Sequence, residues 1–408
     1  MEQKNTQRIG IVLFVFLISA ASIGDGLGDT VFSNYFREVY QATATQRAFI
    51  EFPRELPGLL CALVIALLSL LGDLRISLIA QLLSCAGLMV LGIFTPSYGV
   101  MLIFIFISSM GMHLFLPLRD SIAMSLSEPD MVGRRIGQYN STRIGAQFVA
   151  GIIVFWGFKS GAFSFASPIK YVFLLGSFAY LVAAVSSLLL VRHAPKTVPV
   201  RKTMRLCFRK EYRYFYFLTI LNGVQKQIAL VFGSWVIVDL FRKGAETMSL
   251  LIIISSLLGV FFMRMIGKWM DQYGIKRMMY VDALTFIGVY VLYGLTVSAI
   301  TSARLPQVGW PVFIIYVLFV MDRLSMNVGV VKSVYMHSIA INKEEVTAAL
   351  ATGTSLDHIV AIIAAQFSGF IWVTWGPQWV FFMAAFFSLG NLFVAWKLPR
   401  DCNKMETA

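Results

Sequence analysis

Charge is what this sequence has least of. Charged residues make up 13% of its 408 positions and apolar ones 58%, whereas soluble chains carry roughly 25% charged residues. A water-facing surface cannot be built from this, which excludes a soluble globular protein. Histidine and cysteine are scarce too, at four each. His113, His193, His337 and His358 form no HxxxH or HExxH pair, and Cys61, Cys85, Cys207 and Cys402 form no CxxC pair, so neither a metal centre nor a redox site is expected. No GxxxxGK[ST] phosphate loop occurs, so nucleotide hydrolysis is not expected as an energy source. Strand-type alternation is missing, which argues against a β-barrel. No cofactor is expected, and the nucleophile–base or metal constellation of a membrane-embedded enzyme is not evident.

What is present is a succession of apolar runs, each near the length of about 20 residues that spans a bilayer as a helix. They lie near 9–32, 56–72, 76–94, 98–126, 136–158, 170–191, 213–240, 248–267, 278–300, 310–340, 346–374 and 378–397. The first begins after Arg8, holds polar residues at depth and lacks a small-residue cleavage site, so it reads as a retained helix and not a signal peptide. The expected fold class is an all-α integral membrane protein of about twelve transmembrane helices.

The net charge of +13 points to lipid and not to nucleic acid, because of where it lies. Arg134, Arg135, the stretch from Arg192 to Arg213, Arg264, Lys268, Lys276, Arg277 and Lys343 fall in alternate loops. The intervening loops hold fewer, including Arg37, Arg47, Arg54, Lys159, Lys170, Arg242, Lys243 and Arg304. The positive-inside rule then places both termini in the cytoplasm of a cell whose inner membrane the chain crosses many times.

The chain divides into a six-helix bundle at 1–191, a basic cytoplasmic linker at 192–212 and a second six-helix bundle at 213–408. In the linker Arg201, Arg205 and Arg209 share one helical face beside Val200, Met204 and Phe208, a pattern suited to anionic headgroups. The halves echo one another in order. Val31-Phe32-Ser33 matches Val231-Phe232-Gly233, which sets Asp25 opposite Gln225 or Lys226. Gly72-Asp73-Leu74-Arg75 follows the second span, and Gly267-Lys-Trp-Met-Asp271-Gln-Tyr-Gly274-Ile-Lys276-Arg277 follows the eighth.

With that second loop the chain resembles the major facilitator superfamily, over nearly its whole length. Gly267, Asp271, Gly274, Lys276 and Arg277 match the family's G-x-x-x-D-x-x-G-x-[KR]-[KR] loop; the earlier loop departs from it, with Ser69 and Ile76 where glycines would stand. The resemblance implies a cytoplasmic latch made by Asp73, Arg75, Gly267, Asp271, Gly274, Lys276 and Arg277. It also implies bundles related by pseudo-two-fold symmetry, a central cavity lined by spans 1, 4, 7 and 10, and spans 3, 6, 9 and 12 against lipid.

Charges within spans are costly and tend to be functional. Here they are Asp25 and Asp29 in span 1, Arg119 and Asp120 in span 4, Arg143 in span 5, Lys226 in span 7, Asp322, Arg323 and Lys332 in span 10, and Asp357 beside His358 in span 11. Every third span is charged, the spacing of the cavity-lining set. Asp25, Asp29, Arg119, Asp120, Arg143, Lys226, Asp322, Arg323, Asp357 and His358 are the candidate substrate and proton pathway. Asp25 is the expected proton carrier, with Lys226 as the partner that would hold it charged. Gly24-Asp25-Gly26-Leu27-Gly28-Asp29 lacks the later ligands of an EF-hand and follows no strand, so its glycines more simply loosen the helix or admit a neighbour. Pro117 should kink span 4, and Trp310, Trp372, Trp375 and Trp379 should anchor the external interface.

The expected function is a secondary active transporter of a small organic solute, working by alternating access as a monomer in proton-coupled symport. A drug or metabolite efflux antiporter is the alternative, disfavoured because Ser141 to Gly151 lacks the proline of the family's antiporter signature. A non-transporting sensor would need a larger soluble output domain than these short loops provide.

Overall fold

The computed structural model describes residues 2–126, 132–193 and 207–398. Helices make up almost all of it: α1 (Glu2–Tyr40), α2 (Ala44–Leu68), α3 (Asp73–Ile93), α4 (Tyr98–Ser125), α5 (Val132–Lys159) and α6 (Tyr171–His193). Then come α7 (Arg213–Gln227), prolonged by wider π turns over Ile228–Gly233 and Val236–Leu240, and a run over Ala245–Thr301. Gly274 interrupts that run with φ 78° and ψ 166°, outside the helical range, and divides it into α8 (245–273) and α9 (275–301). The chain continues with α10 (Trp310–Val328 and, past Gly329, Val330–Ile339), α11 (Lys343–Thr374) and α12 (Pro377–Lys397). Eleven helices among the described residues are long and apolar enough to cross a membrane, and the division at Gly274 makes them twelve. The chain is therefore an all-α, multi-pass membrane protein.

Most of the basic linker, at 194–206, lies outside the described residues. Its end, Lys210–Tyr212, is a short 3-10 turn that buries Tyr212 completely.

Two compact units form, one from Met1–Gln41, Pro53–Met204 and Ala245–Leu250, the other from Ala42–Phe52, Arg205–Gly244 and Leu251–Ala408. In a bilayer, apolar contact between helices gains little over contact with lipid tails, so close packing and buried hydrogen bonds decide which faces meet. In the first unit α3 and α6 are joined by Ser77 and Ser187 at 3.2 Å, and by Ser177 Oγ donating to the Cys85 carbonyl oxygen at 3.0 Å. In the second, Gln225 Nε2 of α7 donates to Ser388 Oγ of α12 at 2.8 Å, and Asn391 Nδ2 of α12 donates to Asp282 Oδ2 of α9 at 3.2 Å. Spans 3, 6, 9 and 12 thus carry polar inner faces, which the expectation of lipid-facing helices does not include.

Several boundaries differ from the sequence expectation, α1 running on to Tyr40 where an end near 32 was expected. α2 starts at Ala44 and not near 56. Thr43 and Gln46 cap its N-terminus reciprocally: Gln46 N–H donates to Thr43 Oγ1 at 3.2 Å, and Thr43 N–H donates to Gln46 Oε1 at 3.0 Å. Arg47 and Glu51 then pair one turn apart, both 2% exposed, so the polar stretch is helical because its charges satisfy one another. α10 tightens to i→i+3 bonding at Gly329 (φ −57°, ψ −14°), which a continuous apolar run did not reveal. Pro117 lies inside α4, which continues past it to Ser125. Trp310, Trp375 and Trp379 are exposed as expected of interface anchors, but Trp372 turns inward onto Phe232, ring centres 5.7 Å apart.

Candidate functional site

In the first unit the site is organised by α1, where Asp25 and Asp29 share a face. Gly24 and Gly26 draw neighbours in: a Cβ on Gly24 would lie 2.8 Å from the Tyr180 ring, and one on Gly26 would lie 2.7 Å from the Ala150 Cβ. α6 can therefore deliver the Tyr180 hydroxyl to Asp25 Oδ1, to which it donates a hydrogen bond. Asp29 Oδ1 accepts from Arg54 Nη2 of α2 at 3.1 Å, and the Arg54 guanidinium lies 5.5 Å from the centre of the Phe32 ring. Arg54 is fixed at its backbone, since its carbonyl oxygen accepts from Ser109 Oγ at 2.5 Å. His113 is buried, at 7% exposure, with Nδ1 3.1 Å from Ser109 Oγ.

These groups surround a pocket of about 370 Å³, including the part open to solvent, whose walls include Asp25, Asp29, Phe32, Arg54, Ile105 and Tyr180. Arg119 Nε donates to its neighbour Asp120 at 3.1 Å and Arg143 Nη1 to Gln147 Oε1 at 3.1 Å. Both guanidinium groups act on Asp25 electrostatically, yet among the described residues no cation pairs with it directly. The structure thus gathers four of the expected residues, Asp29, Arg119, Asp120 and Arg143, around a fifth, Asp25.

In the second unit Lys226 Nζ donates to Asp357 Oδ2 at 3.0 Å, and Asn222 Nδ2 donates to Asp357 Oδ1 at 3.1 Å. Gly223 makes this contact possible, because a Cβ there would lie 2.9 Å from the Asp357 carbonyl oxygen. Inside its own unit Lys226 takes Asp357 as its partner, and Asp25 takes Tyr180. His358 is buried at 8% exposure. Asp322 is fully buried, and neither carboxylate oxygen has a hydrogen bond among the described residues. The Tyr290 hydroxyl lies beside it but directs its hydrogen to the Gln225 carbonyl oxygen at 3.0 Å. Arg323 points elsewhere, its guanidinium 5.1 Å from the centre of the Phe319 ring.

The latch residues separate into two groups. Gly72 adopts φ 79° and ψ 155°, close to the φ 78° and ψ 166° of Gly274. Shared turn geometry aligns Gly72 with Gly274 and hence Arg75 with Arg277, so Asp73 follows its turn glycine whereas Asp271 precedes its own. The alignment of Asp73 with Asp271 is corrected accordingly. Asp73 accepts a hydrogen bond from Ser121 Oγ of α4. Lys276 caps the end of α12, donating to the Leu398 carbonyl oxygen. Arg75, Asp271 and Arg277 are exposed, and no atom would come within 4 Å of a Cβ on Gly267.

Sequence reasoning missed Arg54, Tyr180 and Asn222. Tyr180 had a signal, as a tyrosine midway along an apolar span, far from the interfaces where tyrosine gathers. Arg54 had one in Thr43-x-x-Gln46, which starts α2 early enough to include it. Asn222 had none beyond its spacing of four from Lys226.

The Major Facilitator Superfamily sequence signature matches residues 14–340. No curated protein sequence matches the chain. Among solved structures, the nucleoside transporter NupG superposes with a TM-score of 0.73 at 13% identity, covering 96% of this chain and 100% of that one. A POT family transporter in complex with a thioalcohol-conjugated peptide gives 0.75 at 11%, covering 94% and 95%. A D-xylose–proton symporter gives 0.65 at 13%, covering 99% and 100%.

Proposed function

The chain belongs to the major facilitator superfamily, and from that membership we propose that this transporter is a secondary active carrier that moves a small organic solute by alternating access in symport with protons. It works in the cytoplasmic membrane as a monomer with both termini inside, its bundles at 1–191 and 213–408 joined by the basic linker 192–212. Solutes named for the similar structures include a nucleoside, a peptide and a sugar, so the fold alone selects none of them.

The observation that supports proton coupling is the setting of Asp25. Its direct partner is a neutral hydroxyl, that of Tyr180. A phenol can donate to a carboxylate or accept from a carboxylic acid, so Asp25 keeps a hydrogen bond whether or not it holds a proton. Asp29 and Asp357, by contrast, are committed to cations. Asp29, Arg54, Arg119, Asp120 and Arg143 surround the proton carrier. Lys226, Asp322, Arg323, Asp357 and His358 serve the solute pathway, and Asp73, Arg75, Gly267, Asp271, Gly274, Lys276 and Arg277 the cytoplasmic latch.

The test is solute accumulation by proteoliposomes under an imposed proton gradient, with Asp25→Asn beside the parent protein. Loss of accumulation with retained counterflow of labelled solute is the expected result. Gradient-driven accumulation unchanged in the variant would remove Asp25 from this role.

A further inference from the structure

Outside the contacts already used, the second unit holds Lys332, an ammonium within a span. Lys332 is partly buried, yet among the described residues it makes no hydrogen bond through its side chain and no ion pair. It lies within electrostatic reach of Asp357 and Asp282, which attract it, and of Lys226, which repels it. Neither carboxylate leans on Lys332 alone: Asp357 accepts from Lys226 and Asn222, and Asp282 Oδ2 accepts from Asn391.

The backbone around both lysines departs from regular helix. α10 tightens at Gly329, three residues before Lys332, where Gly329 N–H and Lys332 N–H each bond to the carbonyl three residues back. The Lys332 side chain folds back over that glycine, where a Cβ would lie 3.5 Å from its Cε and 3.6 Å from its Nζ. α7 widens into π turns from Ile228, two residues after Lys226. Tightened 3-10 stretches within a helix often mark functional hinges, and π turns recur at functional sites.

We infer that Lys332, together with Lys226, receives the carboxylate of a monoanionic solute inside the second unit. This rests on the transport reading and names its substrate class. The charge balance selects the class. Among the described residues, Lys226 and Lys332 are offset in formal charge by Asp282 and Asp357, so these four groups sum to zero before the solute arrives. A carboxylate adds one negative charge, which one co-transported proton cancels, whereas a phosphate monoester would add nearly two. Uncompensated charge in a low-dielectric interior is costly, so the monoanion is favoured. Lys226 offers the arriving group a second donor by sharing or leaving Asp357.

The experiment is thermal melting of the purified full-length protein with matched pairs of probes: acetate and acetamide, L-lactate and lactamide, benzoate and benzamide, and glycerol 3-phosphate. A bound ligand raises the melting point of the folded state. At least one carboxylate is expected to raise it where its amide does not. Lys332→Gln is expected to weaken that effect by about ten- to a hundredfold in ligand concentration, and Lys332→Arg to retain part of it. Should Lys332→Gln melt below the working range, Lys332→Met and Lys226→Gln provide the same reading. Equal stabilisation by amides, a stronger response to glycerol 3-phosphate, an undiminished response in Lys332→Gln, or no response to any carboxylate would each overturn the inference. Melting reads binding without transport, so a carboxylate that binds but is not carried contradicts the transport reading and leaves this one standing.

Discussion

The two halves of the chain place different chemistry at the same point of their first helix. On α1 that point is Asp25, met by a hydroxyl from α6; on α7 it is Gln225, met by a hydroxyl from α12. The geometry is repeated while the chemistry is divided. A carboxyl beside a phenol can exchange a proton and keep its bond, whereas an amide beside a serine has no proton to exchange. The charge of the second half sits one residue later, on Lys226, and is paired with Asp357. On the proposed function, proton handling falls to the first half and the solute's own charge to the second.

The comparison can be broken most severely at the ion pair. Stripping one partner from a fully buried pair costs about 3–5 kcal/mol; Lys226 and Asp357 are 18% and 13% exposed, so Lys226→Ala should cost roughly 2–3 kcal/mol by the same reasoning. A fall in melting point that Lys226→Ala/Asp357→Ala largely recovers is the expected result. A double variant no better than the single one would mean that the pair is not what holds α7 to α11.

The glycines that admit each partner sharpen the contrast. A Cβ on Gly24 meets the edge of a side chain, Tyr180, at 2.8 Å, while one on Gly223 meets a backbone carbonyl at 2.9 Å. Both alanine variants should fall within the overpacking range of about 1–3 kcal/mol, with Gly223→Ala the more costly because a helix backbone yields less than a ring. Gly24→Ala should also weaken gradient dependence of uptake, by displacing the hydroxyl from Asp25, and Gly223→Ala should not. The smallest effect is expected at the cap of α2, where Thr43→Ala removes one side-chain bond and should cost about 1 kcal/mol, read as a slight fall in melting point.

How far the sequence could be read follows from which interactions are local. Spans were legible because bilayer thickness fixes the length of an apolar run. The turn at Gly274 was legible because its motif is contiguous, and its counterpart at Gly72 was misaligned because the flanking glycines had been lost and only backbone conformation shows the register. Asp25, Asp29, Lys226 and Asp357 stood out as costly charges, but their partners lie 25 to 155 positions away. No local pattern states that Tyr180 rests on Gly24 or that Gly223 brings α11 to Lys226. The early start of α2 was written in a capping pair and a one-turn ion pair that an apolar-run criterion passes over.

The central claim is that Asp25 carries the coupled proton, and proton movement itself tests it. Vesicles reconstituted with the full-length protein and loaded with a pH-sensitive dye would receive, with no imposed gradient, the solute identified by melting. Acidification of the lumen on solute entry is expected for the parent protein, with none for Asp25→Asn although labelled solute still exchanges. Acidification of equal size in the variant would contradict the account.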